Sequence, residues 1–493
     1  MISFPQARPA RLLAAWLLAA WLCVFGSCAA WAQQDTADRL WQGIEQQSRQ
    51  PAAPAPLPED AQRALYDPAF AALTQSPQMR VELLLGAILH AVNQRDWFGA
   101  ERLLRQYAQV PRHDPALAVF VAASRLAAEG DHAAAIDKYR EVLLARPEFT
   151  RAELDLARLL YADNRLRDAH TAFAQLRGQP LPPEVVQHID GYRALIAQRQ
   201  RPQLSLTLAA VREDNVNSIS TVVDACALVF YGSCLQNTAG EKKPDSGIYF
   251  EAMLSQLWPL AGNHGILLRS INYGNRYRHE KDYENLVSTN YLGYQFSSAN
   301  NQFQILPLFE FNEEGGRKIY HAFGARLAYM RQLTQRTQLE ASYEYKARRF
   351  STLFAENLQG DFKSLSLFGS HVIAPGLQAY ASLAVRESAA RQHIFFHREK
   401  AARVGIFRNF SGQVTVNAAY GWRGREAKAA NTVFGKRQRD HEGSLYLNVT
   451  LPGRAWHGLT PTLTYEYRDN RSSIPHAYNY EKNRLTLGFS KTF

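Results

Sequence analysis

Cys226 and Cys234 are the residues whose type and spacing most directly imply a covalent bond. In an oxidising compartment a C-x7-C pair reads as a disulfide, closing a tip of about nine residues and removing loop entropy. Metal binding would need further ligands nearby, and none appear. His393 and His397 have the four-residue spacing of a helical metal site. They fall in a predicted loop, and on a strand they would stand roughly 13 Å apart, so both read as exposed loop histidines. The chain has no Gly-x-Ser-x-Gly elbow, phosphate loop, Cys-x-x-Cys pair or dinucleotide fingerprint. The reading is therefore of a protein that is not an enzyme, with no cofactor and no metal.

The two ends of the chain say where such residues would work. Arg8 and Arg11, an apolar run from Leu12 to about Phe25, and Ala30-Trp31-Ala32 form a secretory signal (1–32), with cleavage between Ala32 and Gln33. Phe25-Gly26-Ser27-Cys28 loosely resembles a lipoprotein site that would lipidate Cys28, in competition with the Ala-x-Ala site. At the other end, Leu485, Leu487, Phe489 and Phe493 alternate with Arg484, Thr486, Gly488, Ser490 and Thr492. A half-apolar strand stopping on an aromatic is how bacterial outer-membrane barrels end. Lys491 interrupts its apolar face.

Between these ends the chain changes character twice. Residues 33–65 are rich in Pro, Ala and Gln and read as a flexible linker, with room for one helical turn around Trp41. Residues 66–200 are helical in pattern. Ala100 and Leu104, Ala135 and Tyr139, and Ala169 and Phe173 recur at intervals of 35 and 34 residues. Pro147 follows at the position that breaks the second helix of a tetratricopeptide (TPR) repeat. We read three repeats, 81–115, 116–149 and 150–182, and a closing helix, 183–200, stacked as an α-solenoid. The first helix of each repeat would line a concave groove for a passenger or partner. That places Phe120, Ser124, Arg151, Leu154, Arg158 and Tyr161 in the groove.

From 201 to 493 the period becomes two. In 338–349, Leu339, Ala341, Tyr343, Tyr345 and Ala347 share one face. Gln338, Glu340, Ser342, Glu344, Lys346 and Arg348 share the other. This is apolar-to-lipid, polar-to-lumen alternation, and closure removes the edges that lipid could not satisfy. Such runs begin near Gln203, Gly247, Gly265, Asn285, Asn301, Lys318, Arg336, Asp361, Gly376, Arg398, Gly412, Arg437, Gly458 and Tyr480. They predict a fourteen-stranded antiparallel transmembrane β-barrel, so the fold class is an α + β membrane protein. Short connections at 259–263, 298–300, 374–376 and 410–412 belong to the periplasm. Longer ones, at 214–245, 350–361, 388–398, 425–437 and 469–479, belong outside. An even strand count puts Phe493 and the helical repeats together in the periplasm. The net charge of +11 has no Lys/Arg block, so nucleic acid is not an expected partner. The cations would line the lumen and meet lipid and lipopolysaccharide phosphates at the rim. A scattered His–Ser–acid set inside the barrel, as in outer-membrane lipases, is the minor catalytic alternative.

Where the first strand meets the first long connection stands Arg212-Glu213-Asp214-Asn215-Val216-Asn217. With the TPR repeats before it and the Phe-terminated barrel after it, the Asp214, Asn215, Val216, Asn217 run resembles the surface lipoprotein assembly modulators. The resemblance covers residues 66–493. It implies an outer-membrane translocon that helps lipoproteins, or soluble haem- or metal-acquisition proteins, reach the cell surface. The implied partners are an unfolded or partly folded passenger, periplasmic chaperones and barrel-assembly machinery. The alternative reading is a TPR-linked porin exporting a polysaccharide, although those usually carry longer repeat arrays.

Overall fold

The computed structural model describes residues 79–111, 113–230, 233–351 and 355–493, together with Thr36, Arg39, Leu40, Trp41, Pro54 and Leu57. The signal peptide, the Ala32–Gln33 bond and Cys28 lie outside the described residues.

Among the described residues, seven helices form the first unit: α1 (Met79–Asn93), α2 (Trp97–Tyr107), α3 (Ala116–Glu129), α4 (His132–Ala145), α5 (Thr150–Ala162), α6 (Leu166–Arg177) and α7 (Pro183–Gln200). Their ends follow local chemistry. Asp96 and Asp131 cap α2 and α4 by accepting the Gly99 and Ala134 amides. Gly130 ends α3 at φ +88°, a conformation that costs glycine little. Pro183 opens α7, where its missing N–H is no loss. Ala100, Ala135 and Ala169 are fully buried at the helix crossings. Phe120 packs 5.9 Å from Tyr139 and 5.0 Å from Phe149, and Phe173 stacks on Tyr192 at 4.9 Å. The small residue lets the helices approach, and the aromatic four positions on fills the space beneath.

Fourteen strands then close into one antiparallel barrel: β1 (Gln203–Glu213), β4 (Asp245–Pro259), β5 (His264–Tyr277), β6 (Asn285–Ser297), β7 (Asn301–Glu314), β8 (Arg317–Thr334), β9 (Thr337–Phe350), β10 (Gly360–Ala374), β11 (Leu377–Ser388), β12 (His397–Phe410), β13 (Val414–Asn431), β14 (Lys436–Thr450), β15 (Thr460–Ser472) and β16 (Tyr480–Thr492). A small hairpin, β2 (Leu228–Phe230) and β3 (Ser233–Leu235), sits in the first outer connection. Closure is by β1 against β16, from Ser205 opposite Thr492 to Glu213 opposite Arg484. Leu208, Leu365, Leu383, Val404, Leu487 and Phe489 stand exposed outward as the lipid band, while Glu340, Ser342, Glu344 and Lys346 are buried inside. Lys491 belongs to the periplasmic rim. Its ammonium lies 4.7 Å from the centre of the Phe493 ring, so its stem covers apolar surface while its charge stays at the interface.

Two expectations change. The 425–437 connection is strand for most of its length, leaving only 432–435 as a turn, with Gly435 at φ +63°. Its charged residues, with Arg437 and Arg439 paired to Glu426, lie beyond the apolar band and so lack the alternation that marks a strand. One outer connection outside that set is short: β7 and β8 meet through Gly315 and Gly316 alone, both at positive φ. The other change is His397, which is not an exposed loop residue. It opens β12 and is buried, with Nδ1 2.7 Å from the Phe395 carbonyl oxygen. His393 remains exposed.

Replacing Phe120 with alanine should cost the helical unit about 3–5 kcal/mol, because a fully buried aromatic leaves a cavity between two neighbouring rings. A lower denaturant midpoint in the helical signal, with an unchanged heat-modifiable barrel, is the expected result.

Candidate functional site

The lumen is the site, and its wall has three chemistries. Along β7–β14 runs a charged ladder. Lys346 bridges Glu310 at 2.7 Å and Glu344 at 2.8 Å, Arg326 pairs with Glu340 at 3.0 Å, and Arg423 pairs with Glu442 at 2.6 Å. Arg386 pairs with Glu399, and Arg425 with Asp440. Charges this buried persist only when paired. Over the periplasmic half of β1 and β14–β16 the lining is hydroxyl: Ser205, Thr207, Thr450, Thr462, Thr464, Thr486 and Ser490. The third wall, on β4–β7, is apolar, with Met253, Leu267, Ile271, Val287, Leu306 and Leu308 turned inward.

An apolar wall in a polar lumen needs a cover, and Leu40 and Trp41 supply it. The 33–65 stretch, read from composition as a flexible linker, thus has buried, packed positions. Trp41 is 5% exposed and meets Tyr291 edge-on at 5.0 Å. The Arg269 and Arg326 guanidinium carbons lie 4.1 and 4.3 Å from its ring centroid, within cation–π range. Arg39 pairs with Glu466 at 3.0 Å and lies over the Tyr446 ring. Further along, Leu57 is buried in the helical core. The sequence signal was available: Leu267, Ile271 and Tyr273 form an apolar row on the same face of β5 as Arg269.

Asp214, Asn215, Val216 and Asn217 form a clasp at the outer end of the β1–β16 closure. Both Asp214 carboxylate oxygens accept from Asn483, from its amide at 2.8 Å and its side chain at 2.7 Å. Asn215 is fully buried, donates to the Glu481 carbonyl at 3.0 Å and accepts the Ile219 amide. The Val216 amide donates to the Lys243 carbonyl, and its side chain packs with Val211 and Tyr277. Asn217 donates to the Glu241 carbonyl and accepts the Lys243 amide. Four short residues thereby tie the first strand to the last and to the return of the first outer loop. Cys226 and Cys234 form a disulfide, with Cα atoms 4.7 Å apart, in that loop's β2–β3 tip.

The expected TPR groove is mostly core. Phe120, Leu154 and Tyr161 are buried, Phe120 and Leu154 completely. Arg151 is buried and paired with Asp155 at 2.7 Å. Ser124 donates to the Phe120 carbonyl and lies 3.0 Å from the Tyr139 hydroxyl. Arg158 keeps about a third of its side chain exposed, and Ser124 is half-buried. Phe120, Leu154 and Tyr161 face neighbouring helices, a covering that repeat position alone does not reveal.

The helices are also fastened to the barrel, which the sequence did not indicate. The Asp163–Asn164 turn accepts Asn263 and the Ala299 amide, and Asn164 donates to the Ser298 carbonyl at 2.7 Å. Asp168 accepts the Gly262 amide. Two periplasmic turns are thus gripped by one helix–helix turn, with Asn164 at φ +60°. Behind it, burial holds the Arg199 guanidinium below its usual value and raises the Tyr161 hydroxyl.

A charged and hydroxyl-lined lumen in a closed fourteen-stranded barrel, fastened to helical repeats, defines an outer-membrane β-barrel with a periplasmic repeat unit. The family description "Surface lipoprotein assembly modifier" matches residues 203–493, and its "N-terminal TPR repeats" companion matches 71–173. The chain belongs to the surface lipoprotein assembly modifier family. It is 25% identical to the hemophilin secretion modulator of Acinetobacter baumannii, over 83% of this chain and 86% of the relative. It is 23% identical to surface lipoprotein assembly modifier 1 of Haemophilus influenzae, over 84% and 85%. Among solved structures, the TodX toluene transporter of Pseudomonas putida aligns over 59% of this chain and 89% of its own (TM-score 0.30, 11% identity). The outer membrane channel DcaP of Acinetobacter baumannii aligns over 59% and 97% (TM-score 0.32, 8% identity). The barrel lies in the outer membrane, with the repeats in the periplasm.

Asp214→Ala removes two acceptors at the closure, each hydrogen bond worth about 1 kcal/mol. Amide exchange at Asn483 should accelerate roughly tenfold, while Cys226→Ser leaves it unchanged. Unaltered exchange in Asp214→Ala would mean that the motif does not clasp the strands.

Proposed function

We propose that this chain is a translocon that delivers lipoproteins, or secreted haem- or metal-acquisition proteins, across the outer membrane to the cell surface. Family membership carries the reading, because relatives across most of the chain are named for surface lipoprotein assembly and for hemophilin secretion. The lumen supports it. A hydroxyl lining offers hydrogen bonds to any extended backbone without selecting a side chain, as a path for varied sequences needs. The passenger is unfolded or partly folded, since a fourteen-stranded lumen does not admit a folded domain. Folding outside, or handover from periplasmic chaperones, supplies the direction. The repeats receive the passenger, with the half-buried Arg158 and Ser124 the most accessible members of the expected groove. The barrel-assembly machinery inserts the chain, and its rim cations meet lipid and lipopolysaccharide.

The test is deletion followed by surface proteolysis of candidate passengers. Loss of surface exposure, restored by the full chain but not by residues 1–33 joined directly to 201–493, is expected. Undiminished exposure of every surface protein in the deletion strain would end the translocon reading.

A further inference from the structure

The chain's own Arg39, Leu40 and Trp41 lie inside the lumen that a passenger would use. We propose that this position is an exchangeable peptide-binding site. Its resting occupant is the chain's own N-terminal segment, and its ligand class is a peptide bearing a guanidinium and an aromatic ring two residues apart. Displacement by a passenger rests on the translocon reading above; occupancy of the site does not.

The site reads a peptide by three features. Glu466 takes the cation, with Arg39 Nη1 at 3.0 Å from Oε1. Arg269 and Arg326 lie against the indole of Trp41, with Tyr291 at its edge. The inward apolar row of β5–β7 takes Leu40 and the ring body. The segment also points along the path. Thr36 lines the outer cavity with Glu213 and Val216, whereas Arg39 and Leu40 line the periplasmic vestibule with Ser205 and Thr462. A chain threading outward from the periplasm with its N-terminus leading would lie in the same direction.

Exchange, in contrast to permanent packing, follows from the charge pairing. Glu466 has a second partner in Arg468 at 3.4 Å. Arg326 has Glu340 at 3.0 Å and Glu344 at 3.7 Å. Withdrawal of Arg39 and Trp41 therefore leaves Glu466 and Arg326 each with a partner in the barrel wall. What withdrawal uncovers is the apolar row, which an incoming apolar or aromatic side chain covers again.

The test uses the full chain in planar bilayers in KCl, with heat-modifiable migration as the folding check. Wild type should conduct poorly. Deletion of residues 36–41, or Trp41→Ala if the deletion variant does not fold, should conduct several-fold more. A synthetic peptide of residues 33–45 should block that variant again, and the same peptide carrying Arg39→Ala and Trp41→Ala should not. Equal conductance with and without the segment, or equal block by both peptides, overturns the proposal. In cells, oxidative cross-linking of a W41C/Y291C variant should lower passenger exposure at least tenfold relative to W41C alone. Undiminished exposure overturns displacement. If wild type itself exposes no passenger, the translocon reading fails while the conductance result stands.

Discussion

Closure of the sheet on itself is the constraint on which the rest depends. In hydrocarbon an unpaired backbone amide or carbonyl costs several kcal/mol, about the size of a whole domain's stability. β1 must therefore meet β16, although some 270 residues separate them in sequence. Nine opposed pairs make that closure, and the Asp214–Asn483 bonds extend it past the strand end. Closure also creates an interior that must be satisfied in its own terms. Buried carboxylates and guanidinia are paired around the ladder, and the apolar row of β5–β7 is covered by Leu40 and Trp41.

If the lumen is the proposed path, its three linings divide the work. Hydroxyls near the periplasm offer bonds without commitment. The charged ladder is self-paired, so it presents little net attraction that would trap a passing chain. The apolar row and Glu466 are the places where a side chain can be held. The helical repeats stand beside the periplasmic opening because one turn, Asp163–Asn164, grips two barrel turns with both its backbone and its side chains.

How much of this was legible follows the reach of each signal. Period two is local, so the strand starts fall within about two residues of the alternating runs: Asn285, Asn301 and Tyr480 coincide, and Gly458 stands two before Thr460. The 34- and 35-residue intervals located the helix pairs for the same reason. The signal failed where burial is set by distant chain. Phe120 and Leu154 are core because a neighbouring helix covers them. Trp41 sits in a Pro- and Ala-rich stretch whose composition argues for mobility, and its partners lie more than 220 residues away. The Asp214–Asn217 motif was visible, but its role as a clasp needed Asn483 and Glu481 in place.

Whether the passenger travels through this lumen, as proposed, is read by a photo-reactive residue at a single site. With a photo-crosslinker at Thr464, facing the hydroxyl-lined vestibule, the account predicts a covalent adduct with a passenger in transit. The same group at Leu463, facing lipid, should give none. Adducts at Leu463 with none at Thr464 would place the passenger outside the barrel and contradict the account.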